Sequence, residues 1–214
     1  MSAPRPLLLI ACGALAREVA WAIEKGGWPN MELVCLPADL HNRPREIPGA
    51  MQNKIRMARK SGKYDRIIAL YGDCGTGGAL DKVLAAEGVA RISGAHCYEF
   101  YAGSETFLAL NNEEAGSFYL TDYLVRFFDR LVIKGLGLDR YPHLRDEYFK
   151  NYKRVVHLAQ GDDAKLREKA RKAARQLGLE YVYRPTGLKG FADFLGSIAG
   201  DPSTRDDRDG LCNR

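Results

Sequence analysis

The sequence has no long apolar run, and this absence limits the classes of protein to which the chain can belong. Its longest apolar stretch, residues 6–11, is much shorter than the ~20 residues that a membrane-spanning helix needs. The amino-terminal segment also lacks the apolar core of a secretory signal peptide. We therefore expect a cytoplasmic protein with no membrane partner.

The chain also lacks a strong excess of charge. Its 32 basic and 27 acidic residues leave a formal net charge of +5 over 214 residues, which is too dilute for the electrostatic footprint of a nucleic-acid-binding protein. The most basic segment, residues 165–175, has no interleaved aromatic side chains, and its spacing is typical of the solvated face of an amphipathic helix. We therefore predict no nucleic-acid partner.

Cysteine is scarce, and no two of the five cysteines form a local C-x-x-C pair. In a chain without an export signal, thiols are poor evidence for structural disulfides and better evidence for metal binding, redox chemistry or packing. Any site that several of these cysteines share must therefore be assembled by the fold.

Short apolar strands alternate with amphipathic helices along the chain. This alternation is typical of an α/β fold with right-handed crossovers. We expect one mostly parallel, Rossmann-like (doubly wound) sheet with helices on both faces, formed by a single domain at residues 1–199 and followed by a disordered tail at residues 200–214. Strands are predicted at residues 6–11, 32–36, 66–71, 89–92, 154–158 and 180–184, and helices at residues 15–25, 50–60, 79–86, 104–111, 121–134, 139–151, 163–177 and 188–198.

Three cysteines follow predicted strands, each close to a glycine. Cys12, Cys74 and Cys97 follow the first, third and fourth strands. Because the carboxyl ends of parallel strands share one edge and neighbouring strands lie about 4.8 Å apart, these thiols can meet at metal-ligand distances. We predict that they ligate zinc or a [4Fe-4S] cluster and leave one coordination position open for chemistry. A reactive thiol and plain packing are the alternatives.

Four further side chains are candidates for acid, base or hydrogen-bonding roles near that edge. His41 lies in the proline-rich loop after the second strand, where it is a fourth ligand, a substrate contact or simply solvated. Asp73, Glu105 and Tyr119 are candidates of the same kind, although single carboxylates beside loops commonly cap helices instead. The residues predicted to line the cofactor are Gly13, Gly72, Gly75, Gly77 and Asn42.

The remaining histidines and one cysteine are assigned lesser roles. His96 directly precedes Cys97, and two consecutive residues seldom ligate one ion, so His96 is the weaker candidate. His143 and His157 are predicted to be structural. Cys35 lies inside the second predicted strand, where a small buried hydrophobic side chain is expected.

Residues 72–78 resemble the glycine loop of the AdoMet-dependent methyltransferases, in which Gly-Cys-Gly-Thr-Gly follows the first strand. Here the loop follows the third predicted strand, and the next strand ends without the acidic residue that holds the ribose in that family. The loop also lacks the Gly-Lys-Ser/Thr ending of a P-loop. An AdoMet-dependent methyltransferase is therefore the alternative function, and a generic anion site at the following helix is left open.

Several motifs together resemble a family of bacterial and archaeal proteins catalogued as a domain of unknown function. The resemblance spans nearly the whole chain apart from the tail. It is carried by Ala11-Cys12-Gly13 with Glu18, Leu-Pro-Ala-Asp-Leu-His-Asn-Arg-Pro at residues 36–44, Tyr-Gly-Asp-Cys-Gly at residues 71–75, His96-Cys97, and Gly-Ser-Phe-Tyr-Leu-Thr at residues 116–121.

The resemblance implies a part in one-carbon or methylamine-type metabolism, because genes of that family often stand beside corrinoid proteins and methyltransferases of the trimethylamine and methyl-tetrahydrofolate types. It implies a metal-dependent methyltransferase or its activating partner, acting with a small-molecule thiol or methyl donor. A corrinoid would then be carried by a partner protein. A non-catalytic accessory protein that docks on a corrinoid methyltransferase is a further alternative.

Overall fold

The chain folds into alternating strands and helices, and the structure, a computed structural model, describes residues 6–92, 94–200 and 211–212. The α/β class with mostly parallel strands is confirmed. Among the described residues, no helix combines the length and the apolar character needed to cross a membrane. Most of the tail predicted at residues 200–214 lies outside the described residues.

The chain divides into two compact units. The first unit consists of residues 1–97 and 191–214, and the second unit consists of residues 98–190. The strands form two sheets, one in each unit, and not the single sheet expected from the sequence. Local sequence predicts the strands themselves, whereas the choice of pairing partners depends on tertiary contacts that no local pattern encodes.

The sheet of the first unit has a central strand with parallel neighbours on both sides. Its parallel strands are β1 (Leu7–Cys12), β2 (Met31–Leu36), β3 (Arg66–Leu70) and β4 (Ala90–Ile92), in the spatial order β2-β1-β3-β4. The short strand Leu211–Cys212 pairs with β4 in the antiparallel direction. All residues of β1 are buried, as expected for a strand covered on both faces. Since β2 and β3 lie on opposite sides of β1, a topological switch point lies between β1 and β3, where ligand crevices form in α/β sheets.

Helices follow the strands of the first unit in turn. They are α1 (Ala16–Gly26), α2 (Ile47–Lys60) and α3 (Ala79–Ala86), and α4 (Cys97–Ala102) begins at the last residue of the first of this unit's two segments. Amphipathic spacing decides which side each helix buries. In α2, for example, Met51 and Ile55 are fully buried while Met57 is 67% exposed.

The second unit contains a three-stranded parallel sheet with its own core. Its strands are β5 (Ser117–Thr121), β6 (Arg154–Ala159) and β7 (Glu180–Pro185), in that spatial order. Its helices are α5 (Ser104–Glu113), α6 (Asp122–Arg126), α7 (Leu144–Phe149) and α8 (Ala164–Leu177), with a π-helical segment at Asp129–Lys134, and α9 (Lys189–Gly200) then leads back into the first unit.

His157 connects the three strands of the second sheet. Its side chain is buried in β6, with Nε2 2.9 Å from Asp122 Oδ1 and Nδ1 3.2 Å from the Tyr181 hydroxyl. Asp122 directly follows β5, and Tyr181 lies in β7. The histidine therefore has the structural role that the sequence predicts.

Several segments differ from the predicted elements, and helix α4 (Cys97–Ala102) is one that the sequence did not predict. Strand β5 is absent from the prediction, because its short apolar core is followed at once by a helical pattern. The helix predicted over residues 121–134 is divided into α6 and the π-helical segment. The helix predicted over residues 139–151 shortens to α7, because Pro142 has no N–H to donate and disfavours a helical turn before it.

Two methionines of α2 test the packing of this helix. Met51→Ala should lower the free energy of unfolding by about 2–5 kcal/mol, since it leaves a cavity in the core, whereas Met57→Ala on the exposed face should change it by less than about 0.5 kcal/mol. Urea unfolding of the two variants measures the difference. Equal losses would show that α2 does not bury this face.

Candidate functional site

The three candidate cysteines lie at the carboxyl ends of adjacent strands. Cys12 is the last residue of β1, Cys74 lies in the loop after β3, and Cys97 follows β4 as the first residue of α4. Because β1, β3 and β4 are consecutive in the sheet, all three residues share one edge, which we call the carboxyl edge. Cys12 and Cys74 flank the topological switch point.

Two of the three sulfur atoms are in contact. Cys74 Sγ lies 3.4 Å from Cys97 Sγ, within hydrogen-bonding distance for sulfur, and neither cysteine forms a disulfide. Both side chains are half-buried. We call Cys74 and Cys97 the thiol pair.

Backbone contacts between the loops after β3 and β4 hold the thiol pair together. The backbone N–H of Cys74 donates to the Ala95 carbonyl oxygen at 2.8 Å. A Cβ atom at Gly72 would lie 2.9 Å from the His96 backbone, which is closer than real Cβ atoms approach. Only glycine at position 72 therefore permits this approach of the two loops, and with it the contact with Cys97.

Asp73 shapes the glycine loop, residues 72–78. Its Oδ1 accepts hydrogen bonds from Thr76 Oγ1 at 2.6 Å and from the Gly78 N–H at 2.8 Å, and its Oδ2 accepts one from the Gly77 N–H at 3.1 Å. Burial alone would raise the pKa of Asp73, but these hydrogen bonds outweigh it and lower the pKa. The carboxylate is thus ionised, and both of its oxygens accept hydrogen bonds from the loop. Its role in acid–base chemistry stays a prediction.

Cys74 adopts an unusual backbone conformation. Its φ is 49°, and among the described residues it is the one non-glycine residue with positive φ. A left-handed cysteine costs roughly 1–3 kcal/mol, a strain that is concentrated at functional sites in proteins. The hydrogen bonds of Asp73 close the loop around this residue, and the Cys74 side chain meets Cys97, which follows the loop after β4.

The thiol pair shares its protons unequally. The hydrogen bond from Cys97 lowers the pKa of Cys74, burial opposes this effect, and a hydrogen bond from His96 adds to it. The pKa of Cys97 is raised well above its ordinary value, because Cys97 donates to Cys74 and because burial disfavours its thiolate. Cys74 is therefore the thiolate of the pair, the form that acts as nucleophile and metal ligand.

Cys12 and Tyr71 form the buried floor of the site. Cys12 is 7% exposed, burial raises the pKa of its thiol, and its sulfur accepts a hydrogen bond from the Ala14 N–H at 3.5 Å. Tyr71 is 2% exposed, and its buried hydroxyl neighbours the thiol of Cys12. Burial and the neighbouring Cys12 raise the pKa of Tyr71, and charge on Cys97 and Cys74 raises it further. Tyr71 is therefore a protonated donor beside the thiols.

His41 lies in the loop after β2. This loop is folded close to the loop after β1 and to the loop after β3. A Cβ atom at Gly13 would lie 3.1 Å from the Leu36 carbonyl oxygen, and one at Gly75 would lie 3.7 Å from Pro44. The His41 side chain is exposed, yet surrounding protein lowers the pKa of its imidazole, while charge on Cys74 acts in the opposite direction. A neutral imidazole is thus present within electrostatic reach of the thiol pair.

The other predicted site residues are distributed as follows. Gly75 and Gly77 have positive φ, and Gly13 permits a close backbone approach, so each of these glycines has a structural reason for its position. Asn42 ends the short helical turn that contains His41. Glu105 and Tyr119 belong to the second unit, where Glu105 is exposed and the Tyr119 hydroxyl donates to Asn111 Oδ1 at 2.8 Å. Their catalytic roles and the cofactor contacts stay predictions.

Two residues of the site were not predicted as functional. Tyr71 directly follows β3 and precedes the glycine loop, a position at the carboxyl edge that a search of strand ends would include. His96 was given low weight as a ligand, yet it donates to Cys74 and contacts Gly72. Its role follows from backbone packing, which the sequence does not display.

The described residues bring together two of the three predicted metal ligands. Within them, no three His, Cys, Asp or Glu side chains form a group that could hold a metal ion. The thiol pair meets the distance condition for a shared zinc ion, because two sulfurs at about 2.3 Å from one ion cannot be more than about 4.6 Å apart. Cys12 is the next thiol along the carboxyl edge.

A family model described as a protein of unknown function (DUF1638) matches residues 35–195. The matched segment contains the thiol pair and excludes Cys12. No curated protein and no solved structure matches the chain.

Two glycines test the contact between the loops. Gly72→Ala should destabilise the protein and separate the thiol pair, because the new Cβ would meet the His96 backbone. The matched control is Gly49→Ala in α2, where a Cβ meets nothing within 4 Å. This control should raise the free energy of unfolding by about 0.5–1 kcal/mol. Denaturant unfolding gives the signs, and a stabilising Gly72→Ala would contradict the described contact.

The pH dependence of alkylation tests the unequal protonation of the thiols. In reduced, metal-free protein, the iodoacetamide reaction of Cys74 should reach its plateau at lower pH than that of Cys35, because a lowered pKa fills the thiolate form earlier as the pH rises. Cys97→Ser should move the Cys74 profile to higher pH. Peptide mass spectrometry follows each site. A Cys74 reaction that reaches its plateau at the same pH as Cys35, or at a higher pH, would contradict the assignment.

Proposed function

The chain belongs to the DUF1638 family, and from the geometry of its carboxyl edge we propose that it is a thiolate metalloprotein that acts in methyl-group or one-carbon metabolism. The proposed ligands are Cys74, Cys97 and Cys12. The open position would take a small-molecule thiol, and the methyl donor would be a corrinoid carried by a partner protein.

The contact between the two sulfurs carries this proposal. The separation of 3.4 Å between Cys74 Sγ and Cys97 Sγ lies inside the ~4.6 Å limit for two thiolates on one zinc ion. In a [4Fe-4S] cluster, by contrast, each iron takes its own cysteine, so the cysteine sulfurs lie further apart. The geometry therefore favours zinc over the cluster.

Cys12 is the proposed third ligand because it ends the strand next to β3 on the same edge. Charge on Cys74 contributes to the raised pKa of Cys12, so the two thiols are within electrostatic reach of one another. Since a thiol must lose its proton to ligate a metal, binding should release protons and weaken as the pH falls. His41 is available as a fourth ligand or as a contact to substrate.

The proposed chemistry uses both the metal with its thiolate ligands and the hydroxyl of a buried tyrosine. A zinc ion with three thiolates and an open position would hold a thiol substrate as its thiolate, which is the form that accepts a methyl group. Tyr71 has a buried hydroxyl that remains protonated and lies beside the thiol of Cys12, a proposed ligand. We assign to Tyr71 the hydrogen bond that orients the bound thiol.

The partner is proposed from the resemblance described above. Genes of the family that the sequence resembles often stand beside genes of corrinoid proteins and methyltransferases. This association supports a corrinoid protein or a corrinoid methyltransferase as the partner. Activity with a corrinoid substrate distinguishes a methyltransferase from a non-catalytic accessory protein, which would bind the partner without transferring a methyl group.

The alternative of an AdoMet-dependent methyltransferase has less support from the geometry. In the glycine loop, the N–H groups of Gly77 and Gly78 donate to Asp73 and are therefore not available to a ligand. Strand β4, which follows the loop, ends at Arg91-Ile92 and presents no carboxylate for a ribose.

Metal content tests the proposal. Protein purified anaerobically should contain one zinc ion per chain by elemental analysis, and Cys12→Ser, Cys74→Ser and Cys97→Ser should each lower this content. Cys35→Ser is the matched control, because Cys35 lies inside β2, beside Ala11 of β1, and is not one of the proposed ligands, so it should leave the metal content unchanged. Protein without metal would contradict the proposal. Bound iron with a broad visible absorption band would show that the metal group is the cluster and not zinc.

Methyl transfer tests the chemistry separately. Zinc-loaded protein should speed the transfer of a methyl group from methylcobalamin to a small-molecule thiol, as followed by the visible spectrum of the corrinoid. The Cys74→Ser variant should lose this activity, since it loses a proposed ligand. Zinc-loaded protein that leaves the spectrum unchanged in the presence of thiol would favour the accessory role.

A further inference from the structure

The thiol pair supports a second kind of chemistry besides the proposed metal ligation. Cys74 Sγ and Cys97 Sγ are 3.4 Å apart as free thiols, and a disulfide bond is about 2.05 Å long. A closing movement of roughly 1.4 Å would therefore join them. Glycines stand beside both cysteines, with Gly75 directly after Cys74 and Gly94 three residues before Cys97, so the loops have the backbone freedom to make this movement.

The residues of the thiol pair are more exposed than Cys12. Both cysteines are half-buried, and Gly75, Ala95 and His96 around them are exposed. Cys12, by contrast, is buried at the end of β1. Of the three cysteines of the carboxyl edge, Cys74 and Cys97 are therefore the two that lie nearer the protein surface.

We propose that Cys74 and Cys97 form a thiol–disulfide exchange pair whose substrates are low-molecular-weight disulfides. Cys74 is the attacking residue, because it lies in the strained glycine loop at a φ of 49°, whereas Cys97 is the first residue of helix α4. Cys97 is the resolving residue. The inference requires only the contact between the two sulfurs and is independent of a bound metal.

The exchange takes place in two displacements. The Cys74 thiolate attacks one sulfur of the substrate disulfide, the substrate S–S bond breaks, and the first small thiolate leaves. The Cys97 thiol then gives its proton to that leaving thiolate and attacks the Cys74 sulfur, which releases the second small thiolate. The two protein thiols are oxidised to one disulfide, and the substrate disulfide is reduced to a thiol and a thiolate.

Closure of the disulfide has a consequence for the metal, and this consequence alone rests on the proposed function. A disulfide removes two of the three thiolates that would hold zinc, while bound zinc would occupy both sulfurs of the pair. The two states therefore exclude one another, so that oxidation would release the metal.

Reaction with glutathione disulfide tests the exchange. The full chain is used, reduced and metal-free, with Cys35→Ser and Cys212→Ser in the background so that Cys12, Cys74 and Cys97 are its remaining thiols. Intact mass spectrometry should show the loss of two hydrogen atoms with release of two glutathione molecules per chain. Peptide mapping should then locate the cross-link between Cys74 and Cys97.

Two further variants identify the roles within the pair. Cys97→Ser should stop at a mixed disulfide with one glutathione on Cys74, and Cys74→Ser should react at least about tenfold more slowly and form no cross-link. Circular dichroism verifies that both variants are folded. A cross-link to Cys12, a persistent glutathione adduct on the parent protein, or equal rates for the parent and Cys74→Ser would each overturn the exchange pair.

A zinc arm separates this inference from the metal proposal. If zinc binds, it should slow the exchange, and the oxidised protein should retain no zinc. If zinc neither binds nor slows the reaction while the cross-link still forms, the metal proposal fails and the exchange pair stands. If zinc binds but the reduced, metal-free protein forms no cross-link, the exchange pair is overturned and the metal proposal stands.

Discussion

The site at the carboxyl edge depends on one close contact between two backbone segments. Gly72 lies against the backbone of His96, and the Cys74 N–H donates to Ala95, so the loop after β3 and the loop after β4 are held as one structure. Without this contact, cysteines on neighbouring strand ends would be free to diverge. With it, their sulfur atoms meet.

The conformation of the glycine loop determines where the Cys74 side chain lies in this contact. Three hydrogen bonds to Asp73 hold the loop in a conformation that places Cys74 at positive φ. At about 0.5–1.5 kcal/mol each, they are sufficient to offset a left-handed cysteine. The chain thus uses the Asp73 carboxylate for backbone geometry, while the Cys74 sulfur is the group to which the proposals assign chemistry. This division of roles is common to the zinc and the exchange proposals.

The sequence predicts the first unit more fully than the second. Cys12, Cys74 and Cys97 are predicted on one edge because short apolar strands followed by glycine indicate parallel strand ends, and the order β1-β3-β4 makes those ends neighbours. The second sheet is missed because β5 is short and because partner choice between strands has no local signal. Tyr71 and His96 are missed as functional residues for a related reason, since their importance comes from burial and from loop packing.

A crystal structure of the reduced protein grown with zinc tests the central claim most directly. The account predicts that Cys74 Sγ and Cys97 Sγ lie on one zinc ion, within the ~4.6 Å that a single ion can span, with Cys12 as the third ligand. Sulfur atoms separated by more than that distance, with the Gly72 and His96 backbones apart and no metal at the carboxyl edge, would contradict it.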